Sequence, residues 1–197
     1  KKIADEAHKR NIEVVVDGAH SLAHLDYKIP DLDADYYGAS LHKWLYAPIG
    51  TGLLYIRREK IKSVYPLFAT GSDPLGDNIR KFENLGTRPF FIEQAIGQAI
   101  EFHDMIGSQR KEKRLFYLKN YWLEKVKDLP GIRIYTSLKP QFACGIAAIG
   151  FEGKDPAKMS AFLFDKYRIH VTLAEVENVH GIRITPNVYT TTKELDV

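Results

Sequence analysis

The sequence is poor in cysteine: Cys144 is the only one in 197 residues. A lone thiol excludes an internal disulfide framework and fits a reducing compartment, so a cytoplasmic location is the expectation. Long apolar runs are also absent. None approaches the roughly 20 residues that a membrane helix requires. Charge of one sign is scarce too. The net charge is +3, and the charges interleave, as in Lys111-Glu112-Lys113-Arg114. Such a balance gives no electrostatic footprint for nucleic acid or an anionic membrane. There is no internal repeat, no low-complexity segment and no initiator Met. Lys1–Arg10 reads as a helix already under way, with Ile3, Ala4, Ala7 and His8 along one face. At the other end, Thr191 and Glu194 have the spacing of a capping box, yet the chain stops at Val197. The sequence therefore reads as an internal piece of a longer protein.

A hydrophobic share of 45% beside 27% charged residues is that of an ordinary globular chain. Short apolar runs at Glu13–Val16, Ala34–Ala39 and Gly52–Arg57 read as strands. Their uniformly apolar character predicts burial on both faces and an α/β sheet. Arg58–Ser63 reads as a short helical turn, and Phe68–Arg88, rich in Gly, Asp, Asn and Pro, as a long loop, of a length that is usually functional or disordered. Phe90–Ile106 is predicted helical through Ile92, Ala95, Ile96, Ala99, Ile100 and His103. After Gly107-Ser108, Gln109–Leu129 is a second helix with Leu115, Leu118, Trp122, Leu123 and Val126 as its stripe. Strands follow at Gly131–Thr136, Ala143–Phe151, Ile169–Leu173 and Gly181–Thr185. Between them Pro156–Tyr167 is a helix capped by Asp155. This pattern predicts two domains, 1–107 and 108–197, the second a small α+β unit incomplete at its end.

The residues with chemical potential sit where apolar runs stop. Val14-Val15-Val16 ends in Asp17, and Ala34–Ala39 runs into Ser40-Leu41-His42-Lys43, followed by the turn Ala47-Pro48-Ile49-Gly50. Ligands of open α/β sheets bind at the carboxyl ends of strands. Taken singly, each residue has an ordinary explanation. A lysine at a strand end is usually solvated, Asp17-Gly18 is a common turn, and His20 or His42 can be a satisfied structural histidine. Thr87 can belong to a helix cap, and Arg183 to an exposed edge strand.

Together, Asp17-Gly18-Ala19-His20, Ser40-Leu41-His42-Lys43, Lys81-Phe82-Glu83-Asn84-Leu85-Gly86-Thr87 and Gly181-Ile182-Arg183-Ile184-Thr185-Pro186 resemble the class V aminotransferase group of pyridoxal-phosphate enzymes. The resemblance runs from about Ile12 to the C-terminus. It implies fold type I, with this chain holding the later part of a large, mainly parallel-sheet domain and a small C-terminal domain. It implies pyridoxal 5′-phosphate as cofactor and no metal. Lys43 would hold the cofactor as a Schiff base and move the proton at the substrate α-carbon. Asp17 would keep the pyridine nitrogen protonated, and His20 would bond the cofactor's 3′ oxygen. Ser40 and His42 would contact its phosphate. Thr87 would reach the phosphate of a neighbouring subunit, which makes the protein a homodimer with shared sites. Arg183 would grip the substrate α-carboxylate. The phosphate loop and the ring-stacking residue of the fold would lie upstream of Lys1.

The reaction is read from departures within the group. Cysteine desulfurases need a nucleophilic cysteine shortly before the substrate arginine, and Tyr167–Ile182 contains none. Cys144 falls in the apolar Ala143–Phe151 run, where a buried, inert thiol is expected. His42-Lys43-Trp44-Leu45 with Pro48 resembles the isopenicillin N epimerase-like branch. The expected activity is thus epimerisation (racemisation) or transamination of a small amino-acid substrate. Desulfurase or C–S lyase chemistry, and an inactive binding subunit, are the alternatives.

Overall fold

The structure is a computed structural model describing residues 1–69, 71 and 73–197; Thr70 and Ser72, within the expected loop Phe68–Arg88, lie outside the described residues. The chain forms two compact units, Lys1–Gly107 and Ser108–Val197.

In the first unit, helix α1 (Lys2–His8) leads into β1 (Val15–Asp17), β2 (Tyr36–Ser40) and β3 (Gly52–Ile56). β1 pairs with β2 in parallel, and β3 returns antiparallel on the other side, with Ser40 opposite Gly52. The sheet is therefore mixed. The amino end of β2 is tied down by charge. Asp35, almost fully buried, accepts hydrogen bonds at 2.8 Å from the Val14 amide and from His8 Nε2, while Arg57 reaches Asp33 at 2.7 Å. Burial pushes the Asp35 carboxyl up, but the Val14 amide, His8 and Lys60 outweigh it and hold the group below its usual value. The expectation of two buried faces fails here. Side chains alternate across strands, so Val15, Asp17, Tyr36, Gly38, Ser40 and Leu54 share one face. On that face Val15 is 73% and Leu54 53% exposed. Both residues line a cleft described below. On the other face Tyr37 is wholly buried.

Arg58–Ser63 forms the expected turn, as a 3₁₀ helix, and a second 3₁₀ turn, Ile79–Phe82, interrupts the long loop. The helix expected over Phe90–Ile106 is two pieces, α2 (Phe90–Gln94) and α3 (Ile96–Ile106), joined at Ala95. Ala99 is buried, but Ile100 is 46% exposed, as is most of Ile3 on α1, so neither stripe is fully covered within this unit.

In the second unit, α4 (Ser108–Val126) precedes β4 (Ile132–Ile134), β5 (Ala147–Phe151), α5 (Pro156–Tyr167), β6 (Thr172–Val176), β7 (Val179–Ile184) and α6 (Thr192–Leu195). The sheet order is β4-β5-β7-β6, all antiparallel. Trp122 and Leu123 of α4 pack on Ala147, Ile149, Val171 and Ile182 to make its core. α5 starts where Asp155 accepts from the Ala157 and Lys158 amides, and α6 opens with the Thr191–Glu194 capping box. β6 and β7 form a tight hairpin whose turn is Glu177-Asn178, with Glu177 at φ 48°. No glycine or proline marks that turn, which is why the sequence places the two strands too far apart. β5 begins at Ala147, so Cys144 lies in the loop before it and is half-buried, rather than buried inside a strand.

Candidate active site

The site is built on the carboxyl ends of β1 and β2. At the end of β1, the Asp17 carboxylate accepts the Ala19 amide at 2.9 Å, and the Ser21 and Leu22 amides close the turn onto the Gly18 carbonyl at 3.0 Å each. This Asx turn swings His20 back toward β2. Gly18 is obligatory, because a Cβ there would fall 2.0 Å from Cζ and Oη of buried Tyr37. The Tyr37 hydroxyl in turn meets the Tyr27 hydroxyl at 2.5 Å. Burial pushes the Tyr27 phenol well above its usual value; Ser21 opposes the shift, and donation of the phenol proton to the Tyr37 hydroxyl adds to it.

At the end of β2, the segment Leu41–Thr51 folds into a closed loop. The Leu41 amide bonds the Thr51 carbonyl at 3.1 Å, Ala47 bonds Leu41 at 3.2 Å, and Thr51 returns to Pro48 through its amide and hydroxyl. Leu41, Leu45 and Ala47 are buried with Ala99 of α3, with Leu22, Ala23 and Ile96 alongside. Tyr46 takes φ 66°, a left-handed conformation rare for a bulky residue. These constraints leave Lys43 half-buried and facing a cleft.

That cleft, about 510 Å³, is lined by Asp17, Ser40 and Lys43 together with Val15, Gly38 and Leu54. Lys43 Nζ lies 3.3 Å from His20 Nε2, and Trp44 Nε1 donates to His20 Nδ1 at 3.3 Å. Gly38 matters as an absence: among the described residues a Cβ there would meet nothing within 4 Å, so the floor between Asp17 and Leu54 is bare. His42 is half-buried, and its Nδ1 is buried with no hydrogen-bond partner among the described residues.

Two further predicted residues are not among those lining this cleft. Thr87 is exposed, and the helix that follows it, α2, has five residues and no side-chain cap. Arg183 lies on β7 of the second unit, between Ala148 and Thr172, with its Nε buried and unpartnered among the described residues. Sequence reasoning missed Trp44 as a partner of His20. It named Lys81 within the Lys81–Thr87 element but gave it no role; its buried ammonium donates to the carbonyls of Ile61, Pro74 and Gly76 at 2.7, 2.8 and 3.1 Å. No signal in the sequence tells such a lysine from a solvated one. Among the described residues there is no group of three or more His, Cys, Asp or Glu able to hold a metal ion, and no helix long and apolar enough to cross a membrane.

The model of the family described as aminotransferase class-V matches residues 1–196. The chain belongs to the class-V aminotransferase family. Members of this family are pyridoxal-phosphate-dependent enzymes of fold type I. Among curated relatives, the isopenicillin N epimerase of Streptomyces clavuligerus is 29% identical over 211 aligned positions, covering 99% of this chain and 53% of that protein. A probable cysteine desulfurase of Halalkalibacterium halodurans is 29% identical over 172 positions, 83% of this chain and 41% of the relative. The apo structure of a cysteine desulfurase from Thermococcus onnurineus NA1 superposes with a TM-score of 0.80 at 25% identity, covering 99% of this chain and 52% of that one. The chain thus spans about half the length of the relatives it matches.

The cleft suits the family's cofactor. Its volume is that of a small-molecule site, its floor is bare at Gly38, and a carboxylate, a hydroxyl and a lysine amine line its wall.

Proposed function

We propose that the whole protein acts at the α-carbon of an amino acid, as an epimerase (racemase) or aminotransferase, with Lys43 as its acid and base. The observation that carries this reading is the meeting of Asp17, Ser40 and Lys43 in one cleft at the strand ends, with His20 Nε2 3.3 Å from the lysine nitrogen. Pyridoxal phosphate, bound covalently through Lys43, supplies the electron sink that lets an α-proton leave. The protein's own groups do the rest. The Asp17 carboxylate holds a proton on the pyridine nitrogen. Ser40 Oγ and the His42 imidazole donate to phosphate oxygens. His20 donates to the ring oxygen beside the lysine. Lys43 Nζ, free once the substrate amine has taken its place on the cofactor, would take the α-proton and return it, to the same or the opposite face. Arg183 forms a bidentate pair with the substrate carboxylate, and Thr87 reaches the phosphate of a second copy. The reading includes a homodimer, a cytoplasmic location, and a division in which 1–107 serves the cofactor and 108–197 the substrate.

The relatives include cysteine desulfurases, so sulfur chemistry is the second reading. Against it, residues 167–182 hold no cysteine, and Cys144 sits in the loop before β5.

The test is the visible absorption of the whole protein with pyridoxal phosphate, beside Lys43→Ala. A yellow band in the wild type that is lost in the variant supports the reading. Amino acids are then screened for α-proton exchange in D₂O, with and without a keto acid. Exchange without an acceptor marks epimerisation, and keto-acid dependence marks transamination. Sulfide release from cysteine would favour the second reading. A folded protein with no band refutes both and leaves a binding subunit.

A further inference from the structure

We propose that Trp44 is a positioning residue that fixes the tautomer of His20, so that His20 presents Nε2–H, and never a bare Nε2 lone pair, to the Lys43 nitrogen. The assignment follows from donor counting. An indole Nε1–H only donates. Its partner, His20 Nδ1 at 3.3 Å, must therefore accept and carries no proton. The imidazole proton then resides on Nε2, the atom 3.3 Å from Lys43 Nζ. The same donor opposes an imidazolium, whose Nδ1–H would face the indole N–H head-on.

The lock is held in place. Trp44 is 3% exposed, and its ring lies over that of His24 at a centroid distance of 3.9 Å. Its neighbours Leu41, Leu45 and Ala47 are in the core, and Tyr46 is fixed in the left-handed region. The indole cannot turn away without unpacking this loop.

The consequence is a choice of what Lys43 meets. Nε2–H complements a nitrogen with a free lone pair, which is the nucleophilic form of a lysine amine, or an oxygen acceptor beside it. A bare Nε2 would instead accept from a lysine ammonium and hold it in a form that neither attacks a carbonyl carbon nor takes a proton. Phe at position 44 would conserve the packing surface and lose the selection. This consequence rests on the function proposed above for Lys43; the tautomer does not.

The test separates the two. The whole protein is labelled with ¹⁵N-histidine, and His20 is assigned by the signals lost in His20→Gln. The ¹⁵N spectrum is expected to show Nδ1 unprotonated and Nε2 protonated, before and after cofactor is added. Replacing Trp44 by benzothienylalanine, which keeps the ring shape and has no N–H, is expected to shift His20 to mixed tautomers; Trp44→Phe serves as a second variant. Protonated Nδ1 in the wild type, or a tautomer unchanged by the analogue, overturns the proposal, whether or not the protein shows a cofactor band. In a protein that does show the band, the analogue should slow α-proton exchange by about tenfold while the band persists. In a His20→Gln background, where an amide needs no tautomer, the same replacement should have little effect. An equal slowing in both backgrounds would reduce Trp44 to packing and refute the lock.

Discussion

Gly18→Ala places a single methyl group at the most crowded point of the site. The new Cβ would lie 2.0 Å from both Cζ and Oη of Tyr37, whereas ordinary contact begins near 3.4 Å. Tyr37 is wholly buried and its hydroxyl is tied to Tyr27. The ring must therefore retreat by well over an ångström into packed surroundings. Overpacking of this kind destabilises by about 1–3 kcal/mol, and losing the buried hydroxyl pair adds about 1 kcal/mol. Stiffening the unfolded chain returns up to about 1 kcal/mol. The net expectation is a loss of about 1–4 kcal/mol, read as a lower urea midpoint at unchanged slope. The alternative relaxation moves the Asp17–Ser21 turn and weakens cofactor binding. Tyr37→Leu removes the ring end that causes the clash, so the double variant should be more stable than the sum of the singles predicts. Gly18→Ala within about 0.5 kcal/mol of wild type, with undisturbed cofactor binding, would refute the reasoning.

Gly38→Ala should fold as well as wild type, since its Cβ meets nothing within 4 Å among the described residues, while Gly38→Val should weaken cofactor binding by about tenfold or more through steric filling, as measured by equilibrium titration; normal affinity in Gly38→Val would show that the cleft floor is not the binding surface. Gly181→Ala contrasts with it, because its Cβ would fall 2.1 Å from the Ile149 carbonyl oxygen, and a loss of at least about 2 kcal/mol is expected by thermal and urea unfolding. Lys111 is fully buried, and burial lowers its ammonium to about 8 from 10.5. The unfolded chain then binds the proton more tightly between those values, so wild-type stability should rise with pH across that window by about 3 kcal/mol relative to Lys111→Met; parallel pH profiles for the two proteins would contradict this.

What the sequence reveals here depends on whether a signal is local. Asp155 and the Thr191–Glu194 pair announce their helices because a cap is a contact within three residues. The buried stripe of α4 is equally legible, since Leu115, Leu118, Trp122 and Leu123 follow the helical period. Asp17 and Lys43 are legible as strand-end residues, and the cleft brings both together with Ser40. The exposure of Val15 and Leu54 is not legible, because a strand that lines a cleft and one buried on both sides share the same apolar alphabet. Nor is the Lys81 cage, which joins carbonyls of Ile61, Pro74 and Gly76. Contacts of that kind are made by the fold, and a lysine in the sequence carries no mark of them. Trp44 falls between the cases. Its place beside Lys43 points to a family branch, but its hydrogen bond spans 24 residues to His20.

The loop that carries Lys43 also shows why this site is held rigidly. A bulky residue in the left-handed region costs on the order of 1–3 kcal/mol, and Tyr46 stands there three residues after the lysine. Such a conformation persists only where the surroundings over-determine it. Here the surroundings are the Ala47–Leu41 and Thr51–Pro48 hydrogen bonds and the burial of Leu41, Trp44, Leu45 and Ala47. Asp35 and its partners do the same work at the other end of β2 with charge. Between them the strand has little freedom, and the lysine at its end inherits that order. A proton taken from carbon and returned to it requires a nitrogen that stays within reach of both positions. An anchored loop with a half-buried amine meets that requirement, whereas a solvated lysine, the ordinary reading of Lys43 taken alone, would not.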